Sequence, residues 1–228
     1  MPNTAPHPGS LDTFEALANG REGLERFRIL HDFGQYVLNG VQGDILEIGV
    51  GESSFFLSRL GERFKRRIFH CDISPSKIVN PMTVPGYLSA AEDITYIEER
   101  DLPAEPFVHG KRVLGFAGSS DALFKRVSIT PIAFAFIDGD HRYDQAKKDF
   151  WNIWDVLVED GVIALHDTHP PSEEWIDENR CGDVYRLRQD LKTEYHRMEQ
   201  ITLTRGCAIG VGITFIRKKK KDMKFFEF

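Results

Sequence analysis

Residues Asp44 to Ser54 read DILEIGVGESS, an apolar run from Ile45 to Val50 that is broken by Glu47 and carries two nearly adjacent glycines at its end. Few folds accept such a run. Ile45, Leu46, Ile48 and Val50 make the continuous hydrophobic stretch expected of a strand buried on both faces. Gly49 and Gly51 permit backbone angles, and an approach by a ligand, that a side chain would block. Ser53 and Ser54 are placed to cap a helix over Phe55 to Phe64, in which Phe56, Leu57, Leu60 and Phe64 share one face. Strand, turn and helix in this order open a doubly wound α/β sheet.

The next apolar run, Arg67 to Ile73, carries Asp72 near its end, 21 residues beyond Gly51. A carboxylate at about that distance, roughly 20 residues, meets the ribose hydroxyls of a nucleotide above the ends of adjacent strands. NAD and S-adenosylmethionine both satisfy this spacing. The dinucleotide pattern GxGxxG would need glycine where Ser54 stands, and a cofactor without a pyrophosphate does not need that last close backbone approach.

A second region supplies chemistry. The strand Ile132 to Ile137 ends in Asp138-Gly139-Asp140-His141, and the strand Val162 to Leu165 ends in His166-Asp167-Thr168-His169. An amphipathic helix over Tyr143 to Leu157, buried through Phe150, Ile153, Trp154 and Leu157, lies between them. Strand, helix and parallel strand make a right-handed crossover, so both polar clusters emerge at the sheet edge that carries Gly49 and Asp72. Asp138, Asp140, His141, His166, Asp167 and His169 have the donor types of a divalent-ion site or of a proton relay. Helix capping and solvated turns are the alternative use of such residues.

With these motifs in view, the chain resembles the class I S-adenosylmethionine-dependent methyltransferases. Glu47, Gly49 and Gly51 match their first motif, with Ser53 in place of its last glycine. The resemblance implies that the Gly49 to Gly51 turn contacts the methionine part of the cofactor, that Glu47 helps to hold its amino group and that Asp72 binds the ribose. Gly118, Ser119 and Ser120, after the apolar run Val113 to Ala117, match the loop that borders the adenine. IDGDHRYDQAKKDF followed by DGVIALHDT resembles the family 24 branch and, more distantly, the catechol and caffeoyl-coenzyme A O-methyltransferases. In those relatives two aspartates hold magnesium, and they match Asp138 and Asp167. A lysine base three residues after the first aspartate is replaced here by His141, and an asparagine ligand by Thr168.

The expectation is therefore an α/β fold, Rossmann-like and doubly wound, with a mostly parallel seven-stranded sheet and a C-terminal antiparallel hairpin. Its domain spans 22–217, between a loose segment 1–21 and a basic and aromatic tail 218–228. The expected function is S-adenosylmethionine-dependent O-methylation of a small molecule or a sugar hydroxyl, with magnesium as a possible aid. His141, Asp138 and His166 are the candidate catalytic residues. Two alternatives are a metal-dependent hydrolase or hydroxylase-like enzyme built on the DGDH and HDTH clusters, and a nucleoside-binding module without turnover.

At 228 residues and 41% hydrophobic content the chain can bury one full core. Its net charge of −6 argues against a dedicated nucleic-acid binder, whose affinity needs clustered Lys and Arg. Cys71, Cys181 and Cys207 lack CxxC spacing and read as reduced thiols of a cytoplasmic chain. Neither a signal peptide nor a membrane-length apolar run is present. Arg217 to Lys221 reads as a solvated tail, Leu24 to Leu38 as a helix over the sheet edge, and 75–111 as a lid or an irregular helix with one strand, Ile94 to Ile97. Trp175 would stack on an acceptor or anchor the Pro170 to Arg180 loop. Asp183 to Tyr195 reads as a helix, and Ile201 to Thr204 with Ile209 to Ile216 as the closing hairpin.

Overall fold

The computed structural model describes residues 27–83, 93–177, 180–194, 196–204 and 211–220. The first strand, β1 (Asp44–Ile48), pairs in parallel with β2 (Ile68–Asp72) on one side and with β5 (Ile132–Ile137) on the other. Beyond β2 lie β4 (Val113–Ala117) and then β3 (Ile94–Glu98), both parallel to it. Beyond β5 come β6 (Leu157–Leu165), then β8 (Ile213–Lys218) and β7 (Met198–Leu203), the last two antiparallel. The order β3-β4-β2-β1-β5-β6-β8-β7 makes β1 and β5 the pair at which the chain reverses direction across the sheet.

The period-two alternation of these strands sends side chains to two separate cores. Leu46, Ile48, Phe69, Leu114, Ala135 and Ile163 pack on one face. Helices α4 (Ser120–Arg126), α5 (Tyr143–Val156) and α6 (Val184–Leu191) cover that face through Leu123, Phe150, Ile153 and Leu187. Ile45, Ile68, Val113, Phe134 and Ala164 pack on the other, beneath α1 (Arg28–Gly40) and α2 (Ser53–Phe64). Both faces are covered by helices, which is why the central strands read as nearly unbroken apolar runs.

Several expectations are corrected. The sheet has eight strands rather than seven, with the expected strand Ile94 to Ile97 joined as β3 to the outer edge of β4. Helix α1 lies on the sheet face beside α2, with Leu30 and Leu38 in the core, rather than over an edge; Leu24 falls outside the described residues. The predicted solvated tail begins inside β8, where Lys218 Nζ donates to the carbonyls of Trp154 and Leu157 at 2.7 Å. Helix α6 stops at Leu191 and passes into a 3-10 turn, Lys192–Glu194. Within 75–111, Pro75–Thr83 is helix α3 and Arg126 ties down the segment after β3 through the carbonyls of Glu99, Leu102 and Pro103. The segments 1–26 and 221–228, the middle of 75–111 and the hairpin turn with Cys207 lie outside the described residues.

Candidate active site

The turn after β1 is clamped from both sides. Asp72, at the end of β2, accepts from the Val50 amide at 3.0 Å and from the Ser74 amide at 2.8 Å. Glu47 is fully buried, and its carboxylate accepts from Ser53 Oγ at 2.6 Å, Ser54 Oγ at 2.5 Å and His70 Nδ1 at 2.6 Å. Ser54 Oγ in turn accepts from the Gly51 amide at 3.2 Å. The two serines therefore bind Glu47 instead of capping α2, whose N-cap position has no side-chain bond. Gly49 is demanded by its surroundings: its φ is +86°, and a Cβ there would lie 2.0 Å from the Asp138 carbonyl oxygen.

A cavity of about 410 Å³ opens at this carboxyl edge of the sheet, between Gly49, Asp72, Ile73, the Gly118 to Ser120 loop, Asp138 and Asp149. Ser119 caps α4 by accepting from the Ala122 amide, and its own amide and hydroxyl donate to Glu99. Ser120 Oγ donates to Asp149 at 2.6 Å, and Gln145 Nε2 donates to the same oxygen at 2.9 Å. Burial raises the Asp149 carboxyl to about 6 against the opposing pull of these two bonds, with Asp121 and Asp140 adding to the rise. Glu47, Gly51 and Ser53 do not line the cavity; Glu47 and Ser53 are buried and Gly51 is exposed. A larger groove, about 630 Å³, runs between α1 and β7–β8 and holds none of the predicted site residues.

Next to the cavity the two strand-end motifs converge. Asp138, His141 and Asp167 each bring a ligand atom to within 4.8 Å of the others. His141 Nε2 stands 3.3 Å from Asp167 Oδ2 and 4.0 Å from Asp138 Oδ1. His166 is buried, with Nδ1 3.0 Å from Asp138 Oδ1 and 3.3 Å from Asp167 Oδ2. Burial pulls its imidazole down, but Asp138 and then Asp167 outweigh this and raise it to about 10. Asp167 holds a left-handed backbone, φ 57°, the kind of outlier that accumulates at functional sites.

Three residues of the motifs stay out of the cluster. Asp140 is engaged by the Arg142 guanidinium, which lowers its carboxyl. His169 is exposed. Thr168 is fully buried and its hydroxyl accepts from Thr214 at 2.8 Å, so it is spent in the core. Trp175 anchors its loop: the Arg180 guanidinium lies 5.2 Å from the ring centroid, and the Cys181 amide donates to the Trp175 carbonyl.

A family model described as a methyltransferase domain matches residues 46–168, which span β1 through the Asp167 turn. The chain belongs to the methyltransferase family. Its fold is similar to cofactor-bound Rv0187 from MTB, with a TM-score of 0.60 at 15% identity, covering 95% of this chain and 100% of that one. The O-methyltransferase TomG from Streptomyces achromogenes, in complex with SAM, gives 0.57 at 16% identity over 85% and 79%. An O-methyltransferase from Bacillus cereus, in complex with SAH, gives 0.55 at 16% identity over 91% and 97%. No curated protein sequence matches the chain. Among the described residues of this methyltransferase no helix is long and apolar enough to cross a membrane.

Sequence reasoning missed four groups around the candidate site. Asp149 sits within the apolar pattern of α5, and its partner Ser120 is 29 residues away. His70 lies inside an apolar strand, 23 residues from Glu47. The buried Cys181 thiol is pushed up to about 12, first by burial and then by Asp167. Lys77 Nζ stands 3.6 Å from Asp72 on the first turn of α3. Only Cys181 carried a signal, a cysteine 12 residues after the His-Asp-Thr-His motif, and spacing alone does not place it in space.

Proposed function

We propose that this methyltransferase takes S-adenosylmethionine as donor and methylates a hydroxyl oxygen of a small molecule or a sugar. When bound, the cofactor supplies an electrophilic methyl group. The observation that carries the reading is the contact between the two halves of the crevice: the Gly49 backbone abuts the Asp138 carbonyl so closely that no Cβ fits. A cofactor seated on the turn thus faces the Asp138, His141 and Asp167 cluster.

The donor types suit a nucleoside. Asp72 keeps lone pairs for ribose hydroxyls beyond the two amides that it accepts. Ile73, 80% exposed beside the cavity, offers an apolar face to a flat ring. Ser119, Ser120 and Asp149 provide polar groups on the opposite wall, where the purine edge would lie. His141, beside the cavity, has Nε2 turned to Asp167 and Asp138, so it takes the hydroxyl proton at Nδ1 while the two carboxylates stabilise the imidazolium that results. His166, raised to about 10, is already protonated at neutral pH, so it accepts no further proton and serves instead as the cation that separates the two carboxylates.

Magnesium fits these residues poorly. It requires near-octahedral oxygen ligands, whereas the third donor here is an imidazole and Thr168 is occupied by Thr214. No step is assigned to it. The metal-hydrolase alternative is set aside by membership of the methyltransferase family.

The test is transfer of a labelled methyl group from S-adenosylmethionine to a panel of phenols, alcohols and sugars. Wild type should form methyl ethers, and His141→Ala should lower the rate about 10² to 10⁴-fold while binding S-adenosylhomocysteine normally. Label found only on nitrogen or carbon, or full activity in His141→Ala, would refute the assignment. No transfer together with normal cofactor binding would favour a binding module.

A further inference from the structure

Glu47 occupies the position at which an acidic residue is expected to reach toward the cofactor amino group, yet in this chain it points elsewhere. All its side-chain bonds run inward, to Ser53, Ser54 and His70, and it has no exposed surface. His70 is held at its other end too, because Nε2 lies 3.3 Å from Ser58 Oγ. A carboxylate can only accept, so His70 Nδ1 carries the hydrogen that goes to Glu47, and Nε2 accepts from the Ser58 hydroxyl. Buried polar groups this fully paired fix one arrangement of the chain around them.

The path from His70 ends on the ligand side of the sheet. Glu47 holds the Ser54 hydroxyl, the Ser54 hydroxyl takes the Gly51 amide, and the Ser54 amide donates to the Gly51 carbonyl at 3.2 Å. On the other flank Asp72 takes the Val50 amide. The Gly49 to Gly51 turn is therefore braced by two carboxylates, one facing the cavity and one hidden behind it.

We propose that His70 is a positioning residue for the cofactor turn, acting through Glu47, and that Glu47 itself does not touch the cofactor. This rests on the S-adenosylmethionine reading above. His70 sets the Glu47 carboxylate, Glu47 sets Ser54, and Ser54 presents the Gly51 backbone in a prearranged form, so that the turn loses less freedom when a ligand arrives.

Three substitutions at one position separate positioning from mere stability. His70→Asn keeps a donor where Nδ1 stands, His70→Gln keeps an acceptor near Nε2, and His70→Leu keeps neither. With S-adenosylhomocysteine as the probe in calorimetry, His70→Leu and His70→Gln should bind at least about tenfold more weakly than wild type, and His70→Asn within about threefold. Backbone amide exchange over 49–54 should quicken in the Leu and Gln variants and stay near wild type in Asn. Should His70→Leu fail to fold, Ser54→Ala cuts the same path nearer its end and should show the same weakening. Unchanged affinity in His70→Leu or Ser54→Ala overturns the inference, as does a His70→Asn variant no better than His70→Leu. If wild type does not bind S-adenosylhomocysteine, the cofactor reading falls and amide exchange alone decides the role of His70.

Discussion

The crevice has two ends built on opposite terms. At the Gly49 turn both carboxylates are fixed by hydrogen bonds: Glu47 accepts three side-chain donors, and Asp72 accepts two backbone amides and keeps lone pairs for a ligand. At the strand-end cluster two carboxylates and two imidazoles crowd together, His166 Nδ1 lies within 3.3 Å of both Asp138 and Asp167, and Asp167 sits at positive φ. The first arrangement holds a shape before a ligand arrives. The second concentrates charge where a proton has to move, and the rest of the fold supports its cost. Binding residues here are held by neutral donors, and reactive ones by charges that face one another at close range.

The sharpest way to break this division is to pry the two ends apart. Gly49→Ala places a Cβ 2.0 Å from the Asp138 carbonyl at a φ of +86°. It should destabilise the protein by about 4 kcal/mol or more, or prevent folding, as read by urea unfolding. A variant of near-wild-type stability would show that the ends are not in rigid contact.

The charged end should reveal itself through pH. His166 is raised from 6.5 to about 10 in the folded protein. Its stabilising contribution is fully present below the unfolded value and is lost as pH rises through the folded one. Unfolding free energy should thus fall between about pH 6.5 and 10, by on the order of a few kcal/mol, and His166→Asn should flatten that slope. An unchanged slope in the variant would remove the ion pair from the account.

Asp149 tests the cavity wall with the opposite sign. Its carboxyl is raised from 3.8 to about 6, so its ionisation penalises the folded state increasingly over that window and fully above it. Asp149→Asn keeps an acceptor for Ser120 and should be more stable than wild type at pH 8 by roughly 2 kcal/mol, with little difference at pH 4. Thermal unfolding at the two pH values decides the matter, and equal shifts at both would contradict the assignment.

Legibility followed the same division. Ile45 to Val50 and Ile132 to Ile137 were readable because strands buried on both faces leave no polar gaps, and the acids at strand ends were readable because crossovers fix which edge they reach. The strand over Ile94 to Ile97 is legible, but its place in the sheet is not, because every residue of β3 is only partly buried or exposed and no clean period shows which edge it joins. Ser53 and Ser54 look like caps by every local rule, and only the fold brings Glu47, six and seven residues upstream, beneath them. Asp149 and His70 were illegible for the same reason: the partners that make them informative are distant in sequence. Lys218 looked solvated as part of a basic run, whereas it closes the end of α5 by donating to two carbonyls.

The central claim is that the paired end of the crevice is a preformed cofactor site, and calorimetry with S-adenosylhomocysteine on wild type and Asp72→Ala tests it most directly. The account predicts micromolar binding that Asp72→Ala weakens about tenfold or more, on the order of 1.4 kcal/mol. Absence of binding to wild type, or equal binding to both proteins, would contradict it.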